Sequence, residues 1–329
     1  MQFCVVGAGA IGGLLAAQLS SAGYDVHVVA RGRTLAAIRG GGLRVNHADG
    51  SPPLRADVDA SDDFAAATGC DVVILAVKAH QIAGLANEIP KLYGPDTIVV
   101  PVQNGIPWWF FDSFPGPFEG RRLASLDPDG RIAATVPAER IVAGIAYPAA
   151  ERAAPNVIDH IEGDRFPVGE LDGSKTERAA AVAEAFTAAG FKSRVLGDIR
   201  ANLWVKAWGN LAFNPISALT GSTLGEICAH PSTRQLVSDM MHEAAAIAEA
   251  LGVRVRLAVE KRIKGAEEIG DHRTSMLQDR DAGRPLEVDP LVGVFVELGE
   301  LTGVATPSIN AVHALVCELN RHIAQESPA

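Results

Sequence analysis

The chain has little of what would tie it to an oxidising compartment, a nucleic acid or a bilayer. Its four cysteines, Cys4, Cys70, Cys228 and Cys317, lie far apart and form no CxxC pair. That excludes a disulfide scaffold and reads as reduced thiols in a cytoplasmic protein. The nine histidines are scattered with no HxxxH pair, so no metal site is indicated. Acids outnumber bases by 39 to 29, a net charge of -10, which argues against a nucleic-acid surface. No apolar run approaches the length that crosses a bilayer. With a first strand expected from Gln2 or Phe3, no signal peptide is expected. Repeats and low-complexity linkers are also lacking. At 329 residues the chain is long enough for two domains, each with its own core.

What is present begins at the N-terminus. The stretch Cys4-Val5-Val6-Gly7-Ala8-Gly9-Ala10-Ile11-Gly12-Gly13 runs an apolar strand into Gly-x-Gly-x-x-Gly, and an Ala/Leu-rich segment follows. This is strand, tight turn, helix. Gly7 permits the turn, Gly9 lets the backbone approach a pyrophosphate, and Gly12 lets the helix pack close to the strand. The first helical amides and the dipole then face the phosphates, so residues 7–12, including Ala8, Ala10 and Ile11, are expected to hold a dinucleotide. An ordinary Gly-rich turn does not explain three glycines at this spacing. The second strand, Asp25 to Ala30, continues Arg31-Gly32-Arg33 where an NAD site usually carries an acid. Arg31 can stack on adenine and pair with a 2′-phosphate, which favours NADP; Arg33 reads equally as a solvated loop charge.

Strands are expected at 2–7, 25–30, 71–77, 97–102, 141–146 and 165–169, with a crossover helix at 80–92 and a hairpin over 43–58 around Asp49-Gly50. A helix at 174–189 and a short strand at 191–196 follow. Strand signals then vanish, and helical periods run at 199–214, 232–252, 255–269, 290–302 and 307–324. The residues after Gln325 are expected to fray. The fold class is therefore an α/β Rossmann-type dinucleotide-binding domain, 1–197, followed by an all-α C-terminal domain, 198–329. The active site is expected in the cleft between them.

Residues just past strand ends face the cofactor on this fold. Lys78 follows the third strand and Gln103-Asn104-Gly105 the fourth; taken alone, Lys78 and Asn104 read equally as ordinary loop residues. A stronger signal is Lys206-Ala207-Trp208-Gly209-Asn210-Leu211-Ala212-Phe213-Asn214-Pro215. Lys206, Asn210 and Asn214 fall at i, i+4 and i+8 and share one helix face. Buried among Trp, Leu and Phe, this row is costly unless it faces a ligand; a solvated face is the plainer alternative. A lysine beside a ketone undergoing hydride addition can stabilise the oxyanion and donate the proton.

Together with Ala30-Arg31-Gly32, Val77-Lys78-Ala79, Thr274-Ser275-Met276-Leu277-Gln278-Asp279 and Glu287-Val288-Asp289, these motifs resemble the ketopantoate reductase family in order, from residue 2 to about 307. The resemblance implies NADPH-dependent reduction of ketopantoate to pantoate, a step of pantothenate biosynthesis. It implies Lys206 as proton donor, Asn104 touching cofactor and substrate, and Asn210, Asn214 and Ser275 holding substrate. Lys78 and Glu287 are implied as cofactor-side or cleft residues, and Ala149 as a backbone contact to the cofactor. Without the resemblance, Ser275 reads as a helix-terminus serine and Glu287 as a surface acid. The partner implied is a small 2-oxo acid; a homodimer is carried forward as the expected assembly.

Three features depart from the family pattern. The stretch from Gly105 to Glu139 is roughly 20 residues longer, as loops tolerate. It carries Trp108-Trp109-Phe110-Phe111 and Phe114, either core of a local helix or the wall of a bulkier pocket. Two polar family positions are here Leu224 and Val292, the latter following Pro290. Two alternatives thus stay open: a reductase of a bulkier or more apolar 2-oxo acid, and a non-catalytic NADP-binding sensor. Retention of Lys206 and both asparagines argues against the sensor.

Overall fold

The computed structural model describes residues 1–326, and the expected fraying after Gln325 falls almost wholly outside them. The chain forms two compact units. One comprises Met1–Gln103, Phe111–Gly120 and Gly130–Ile199; the other gathers Asn104–Phe110, Arg121–Asp129 and the described residues from Arg200 onward.

The first unit is built on strands β1 (Gln2–Val6), β2 (Asp25–Val29), β3 (Leu43–His47), β4 (Leu54–Ala56), β5 (Asp59–Ser61), β6 (Cys70–Leu75), β7 (Tyr93–Pro101), β8 (Ala143–Gly144), β9 (Ala149–Ala154), β10 (Val157–Glu162) and β11 (Val168–Gly169). Its parallel sheet has the order β5-β2-β1-β6-β7, a doubly wound arrangement whose connection reverses between β1 and β6. Ligands on such sheets bind beyond the carboxyl ends of the strands at that reversal. Val5, Val72, Val73 and Ile74 are fully buried, as strands covered on both faces require. The expected hairpin at 43–58 is β3–β4; it joins β10 and β9 in a second sheet, β4-β3-β10-β9. Helices α1 (Ala10–Ser21), α2 (Gly32–Gly41), α3 (Arg131–Thr135) and α4 (Glu177–Ala188) complete the unit.

Four expected elements need correction. Residues 80–92 form three short 3₁₀ turns, Ala79–Gln81, Ala83–Leu85 and Ile89–Leu92, not a crossover helix. Gly84 weakens helix propagation and Pro90 lacks the amide it requires. Residues 141–146 and 165–169 shrink to the antiparallel pair β8–β11, and 191–196 contributes isolated bridges at Lys192 and Val195.

The second unit is all-helical: α5 (Ile199–Thr220), α6 (Leu224–Ala229), α7 (Pro231–Leu251), α8 (Val259–Ile269), α9 (Ser275–Asp281), α10 (Val294–Thr302) and α11 (Pro307–Glu326). A π-helical turn, Asp289–Gly293, leads into α10. Side chains tie the ends together. Glu243 of α7 accepts from the Ser308 and Ile309 amides that open α11, at 2.8 and 2.9 Å. Glu297 of α10 accepts from Ala124 and Ser125 at 2.7 and 2.8 Å, which fastens part of the long Gly105–Glu139 stretch.

That stretch is not a helix over Trp108–Phe111, and its aromatics are core. Trp109, Phe110 and Phe111 are essentially inaccessible. Phe110 packs on Trp204 of α5 (centroids 5.7 Å apart), and Trp204 packs on Phe295 of α10 at 5.3 Å. Phe111 belongs to the first unit, where it meets Phe114 edge-on at 5.1 Å. Leu224 and Val292, the two apolar departures, are likewise buried.

Candidate active site

In the first unit the three glycines of the N-terminal loop have separate reasons. Gly7 has φ +101°, and a Cβ there would lie 2.7 Å from Val77 Cγ1. A Cβ on Gly12 would fall 1.9 Å from the Gly7 carbonyl oxygen, so only glycine lets α1 approach its own turn. Packing accounts for both. Gly9 differs: its Cβ would meet nothing nearer than the Ala76 oxygen at 4.0 Å. The fold leaves this backbone open on one side. Gly9 is also the N-cap of α1 and supplies no side-chain cap, and the first turn of α1, through Ala10 and Ile11, holds no acid. Uncapped amides with an unopposed positive dipole end suit an anion, so the cradle fits a dinucleotide pyrophosphate. Arg31 is exposed at the N-terminus of α2, just past the end of β2. Lys78 is half-buried past β6 and N-caps the first 3₁₀ turn; its backbone amide donates to Gln81 Oε1 at 3.1 Å. Ala149 opens β9 and is half-buried.

Gln103 closes the first segment of this unit. Its Nε2 donates to the Leu75 and Val77 carbonyls at 2.6 and 3.1 Å, tying the end of β7 to the end of β6. The sequence placed Gln103 in a motif without giving it a task. Its glutamine amide is the signal, because the carbonyls past a parallel strand end need donors.

In the second unit, the structure joins residues far apart in sequence. Lys206 Nζ donates to Asn104 Oδ1 at 2.6 Å across a separation of 102 residues. An ammonium only donates, so this bond fixes the Asn104 amide orientation and turns its Nδ2 donors elsewhere. Desolvation lowers the Lys206 pKa to about 8, and the Glu287 carboxylate opposes that fall. Glu287 is buried and lies two residues before the π-turn. The bland reading of Glu287 as a surface acid is thereby removed. Lys206 itself is half-buried as a residue, and the desolvation acts on its ammonium.

Asn210 and Asn214 continue the Lys206 face along α5, Asn210 half-buried and Asn214 buried. The row is therefore not a fully solvated face. Pro215 sits inside the helix and cannot donate to the Leu211 carbonyl. Ser275 is the exposed first residue of α9; the cap is Thr274, whose hydroxyl accepts from the Leu277 amide at 3.2 Å. Lys206, Asn104 and Glu287 are thus brought together, while Ser275 stands at a helix start. Among the described residues no group of His, Cys, Asp and Glu could hold a metal ion, and no helix is long and apolar enough to cross a membrane.

Comparison with known proteins matches two family models. Residues 3–173 match the one described as ketopantoate reductase PanE/ApbA, and residues 198–320 its C-terminal counterpart. A 2-dehydropantoate 2-reductase of Mesorhizobium japonicum is 48% identical over 322 residues, covering 97% of this chain and 98% of its own. A candidate ketopantoate reductase from Ralstonia solanacearum superimposes with a TM-score of 0.93 at 39% identity, covering 98% of each chain. A 2-dehydropantoate 2-reductase from Geobacter metallireducens does so with a TM-score of 0.84 at 27% identity, over 97% of this chain and 99% of the other.

Proposed function

The chain belongs to the ketopantoate reductase family, and from that premise we propose that it reduces 2-dehydropantoate to pantoate with NADPH, Lys206 giving the proton. As a member of that family it is an NADP-dependent oxidoreductase acting on CH–OH groups. The observation that carries the mechanistic reading is the Lys206–Asn104 bond of 2.6 Å, made by a desolvated lysine with its pKa at about 8. An ammonium near neutrality in its acidity is a better proton donor than an ordinary lysine, because acid catalysis is most effective when the pKa lies near the working pH.

NADPH, when bound, would supply a hydride to the keto carbon. Residues 7–12 would hold its pyrophosphate on the uncapped amides of α1, with Arg31 toward the 2′-phosphate and Lys78 and Ala149 as further contacts. Lys206 meets the developing alkoxide, neutralises its charge and transfers a proton from Nζ. Asn104 holds that ammonium through Oδ1 and offers Nδ2 to cofactor or substrate. Glu287 keeps Lys206 protonated. Asn210, Asn214 and Ser275 orient the hydroxyl and carboxylate of the substrate.

The burial of Trp109, Phe110 and Phe111 favours ketopantoate over a bulkier 2-oxo acid, since these rings are spent on packing. The Mesorhizobium relative points the same way: its match spans 97% of this chain, so it takes in most of the 105–139 stretch. A non-catalytic sensor has no use for a desolvated lysine. Free thiols at Cys4, Cys70, Cys228 and Cys317 suit a reducing cytoplasm. Initial rates of NADPH oxidation against ketopantoate and bulkier 2-oxo acids test the proposal. Ketopantoate turning over best is expected; turnover confined to aromatic or long-chain ketones would overturn it. Tight NADPH binding with no turnover of any ketone would establish the sensor. Sedimentation of the same preparation reads the assembly, expected to be a homodimer.

A further inference from the structure

The loop that carries Asn104 meets the π-turn before α10 at an unusually close approach. Gly105 has φ +87°. A Cβ on it would lie 2.0 Å from the Pro290 carbonyl oxygen and 2.7 Å from the carbonyl carbon, both backbone atoms with no freedom to swing aside. The next residue, Ile106, donates its amide to the same Pro290 oxygen at 3.1 Å. Pro290 is the second residue of the π-helical turn Asp289–Gly293. Such turns interrupt regular helix hydrogen bonding and recur at functional sites. The turn is also held from the other side. Gly293, its last residue, leaves room for α11: a Cβ there would lie 3.3 Å from His313 Nε2 and 3.1 Å from Asp289 Oδ1.

We propose that this π-turn is the positioning element of the reductase site: the Pro290 carbonyl, received against Gly105 and bonded by Ile106, sets the Asn104 carboxamide on the Lys206 ammonium. Gly105 and Pro290 are positioning residues; neither touches the reacting atoms. The inference rests on the reading of Lys206 as proton donor. Consecutive Cα atoms are held about 3.8 Å apart, so Asn104 follows any displacement of Gly105. Bringing a Gly105 Cβ from 2.0 Å out to the 3.0 Å that real Cβ contacts respect takes at least ~1 Å of movement. A Lys206–Asn104 bond of 2.6 Å stretched by that amount is no longer a hydrogen bond. The same turn follows Glu287 by two residues, so the two groups acting on Lys206 are referenced to one backbone oxygen.

The test compares wild type, Gly105→Ala, Asn104→Ala and the double variant, with turnover expressed per NADPH-binding site. Gly105→Ala is expected to lower kcat by about 10- to 100-fold, as misplacement by an ångström does. It should raise the isotope effect with deuterated NADPH, because proton and hydride transfer become rate-limiting. In the Asn104→Ala background, Gly105→Ala is expected to cost less than about twofold more, since the residue it positions is gone. Gly293→Ala, a milder push on the turn from the α11 side, should show the same non-additivity at about 3- to 10-fold, and serves if Gly105→Ala does not fold. Multiplicative effects of Gly105→Ala and Asn104→Ala would overturn the proposal. So would a loss of NADPH-binding sites with kcat per site and isotope effect unchanged, since that is a folding defect alone. Full turnover in Lys206→Ala would overturn the functional reading and this inference together. Loss of turnover in Lys206→Ala, with Gly105→Ala and Gly293→Ala both unimpaired, would overturn this inference only.

Discussion

Glu287→Gln provides the sharpest test of the electrostatics around Lys206. The lysine pKa of about 8 is a balance in which burial lowers it and the Glu287 carboxylate raises it. Lys206 must be protonated to act as an acid, so reduction is expected to be full below pH ~8 and to fall about tenfold per pH unit above it. Replacing the carboxylate by an isosteric amide removes the raising charge and leaves the burial. An opposite charge close by shifts a pKa by about 1–3 units, and the low end suits a group whose burial stays unchanged. One unit corresponds to about 1.4 kcal/mol. With the pKa lowered by that amount, a lysine half-protonated at pH ~8 becomes about one-tenth protonated, a loss of about fivefold in turnover, with almost none at pH ~6. The assay is kcat against pH for wild type and Glu287→Gln at saturating NADPH, followed by its absorbance. The alkaline limb should move to lower pH in the variant. A wild-type limb near the ordinary lysine value of ~10.4, or a limb that Glu287→Gln leaves in place, would refute the reasoning.

Other expectations follow from the same geometry. Lys206→Ala should lower turnover by roughly 10²–10⁴ with little loss of NADPH affinity, measured by steady-state rates and fluorescence titration; retention of most turnover would mean that the proton comes from elsewhere. Arg31→Ala should reduce the preference for NADPH over NADH by roughly 10- to 150-fold, because a charge-assisted phosphate contact is worth about 1.5–3 kcal/mol; comparable binding of both cofactors by wild type would sink it. Trp109→Ala should cost about 3–5 kcal/mol of stability in chemical denaturation, as truncation of a buried Trp does. Its ratio of kcat/KM between small and bulky 2-oxo acids should stay constant, and a change in that ratio would make the ring part of a substrate pocket.

Local chemistry made much of this molecule legible. The apolar runs at 2–7, 25–30, 71–77 and 97–102 became adjoining parallel strands, because residues buried on both faces leave few alternatives. The glycine spacing marked the turn into α1, since each position has its own steric demand. Where local propensity is divided, the sequence is ambiguous: Ala and Leu over 80–92 favour helix, and Gly84 with Pro90 break it into 3₁₀ turns. Helix α2 is not legible in the sequence because Gly32, Gly40 and Gly41 hide it among turn signals. The aromatic run 108–111 carries no period that separates core from pocket wall, and it is the packing of Phe110 on Trp204 and of Phe111 on Phe114 that places these rings in the core.

The row Lys206, Asn210, Asn214 was determined by the sequence, because helical spacing alone puts those positions on one face. So was the nature of the N-terminal loop, whose glycines act within a few residues of one another. Tertiary structure alone decided what the lysine meets. Asn104 lies 102 residues upstream of it and Glu287 far downstream, and no local preference encodes a contact across such separations. The pKa of Lys206 is a property of that assembly, since burial and an opposing carboxylate exist only once the chain has folded. The fastening of Asn104 through Gly105 to Pro290 belongs to the same class: a glycine announces that the backbone must turn, and only the fold says what fills the space its missing side chain leaves.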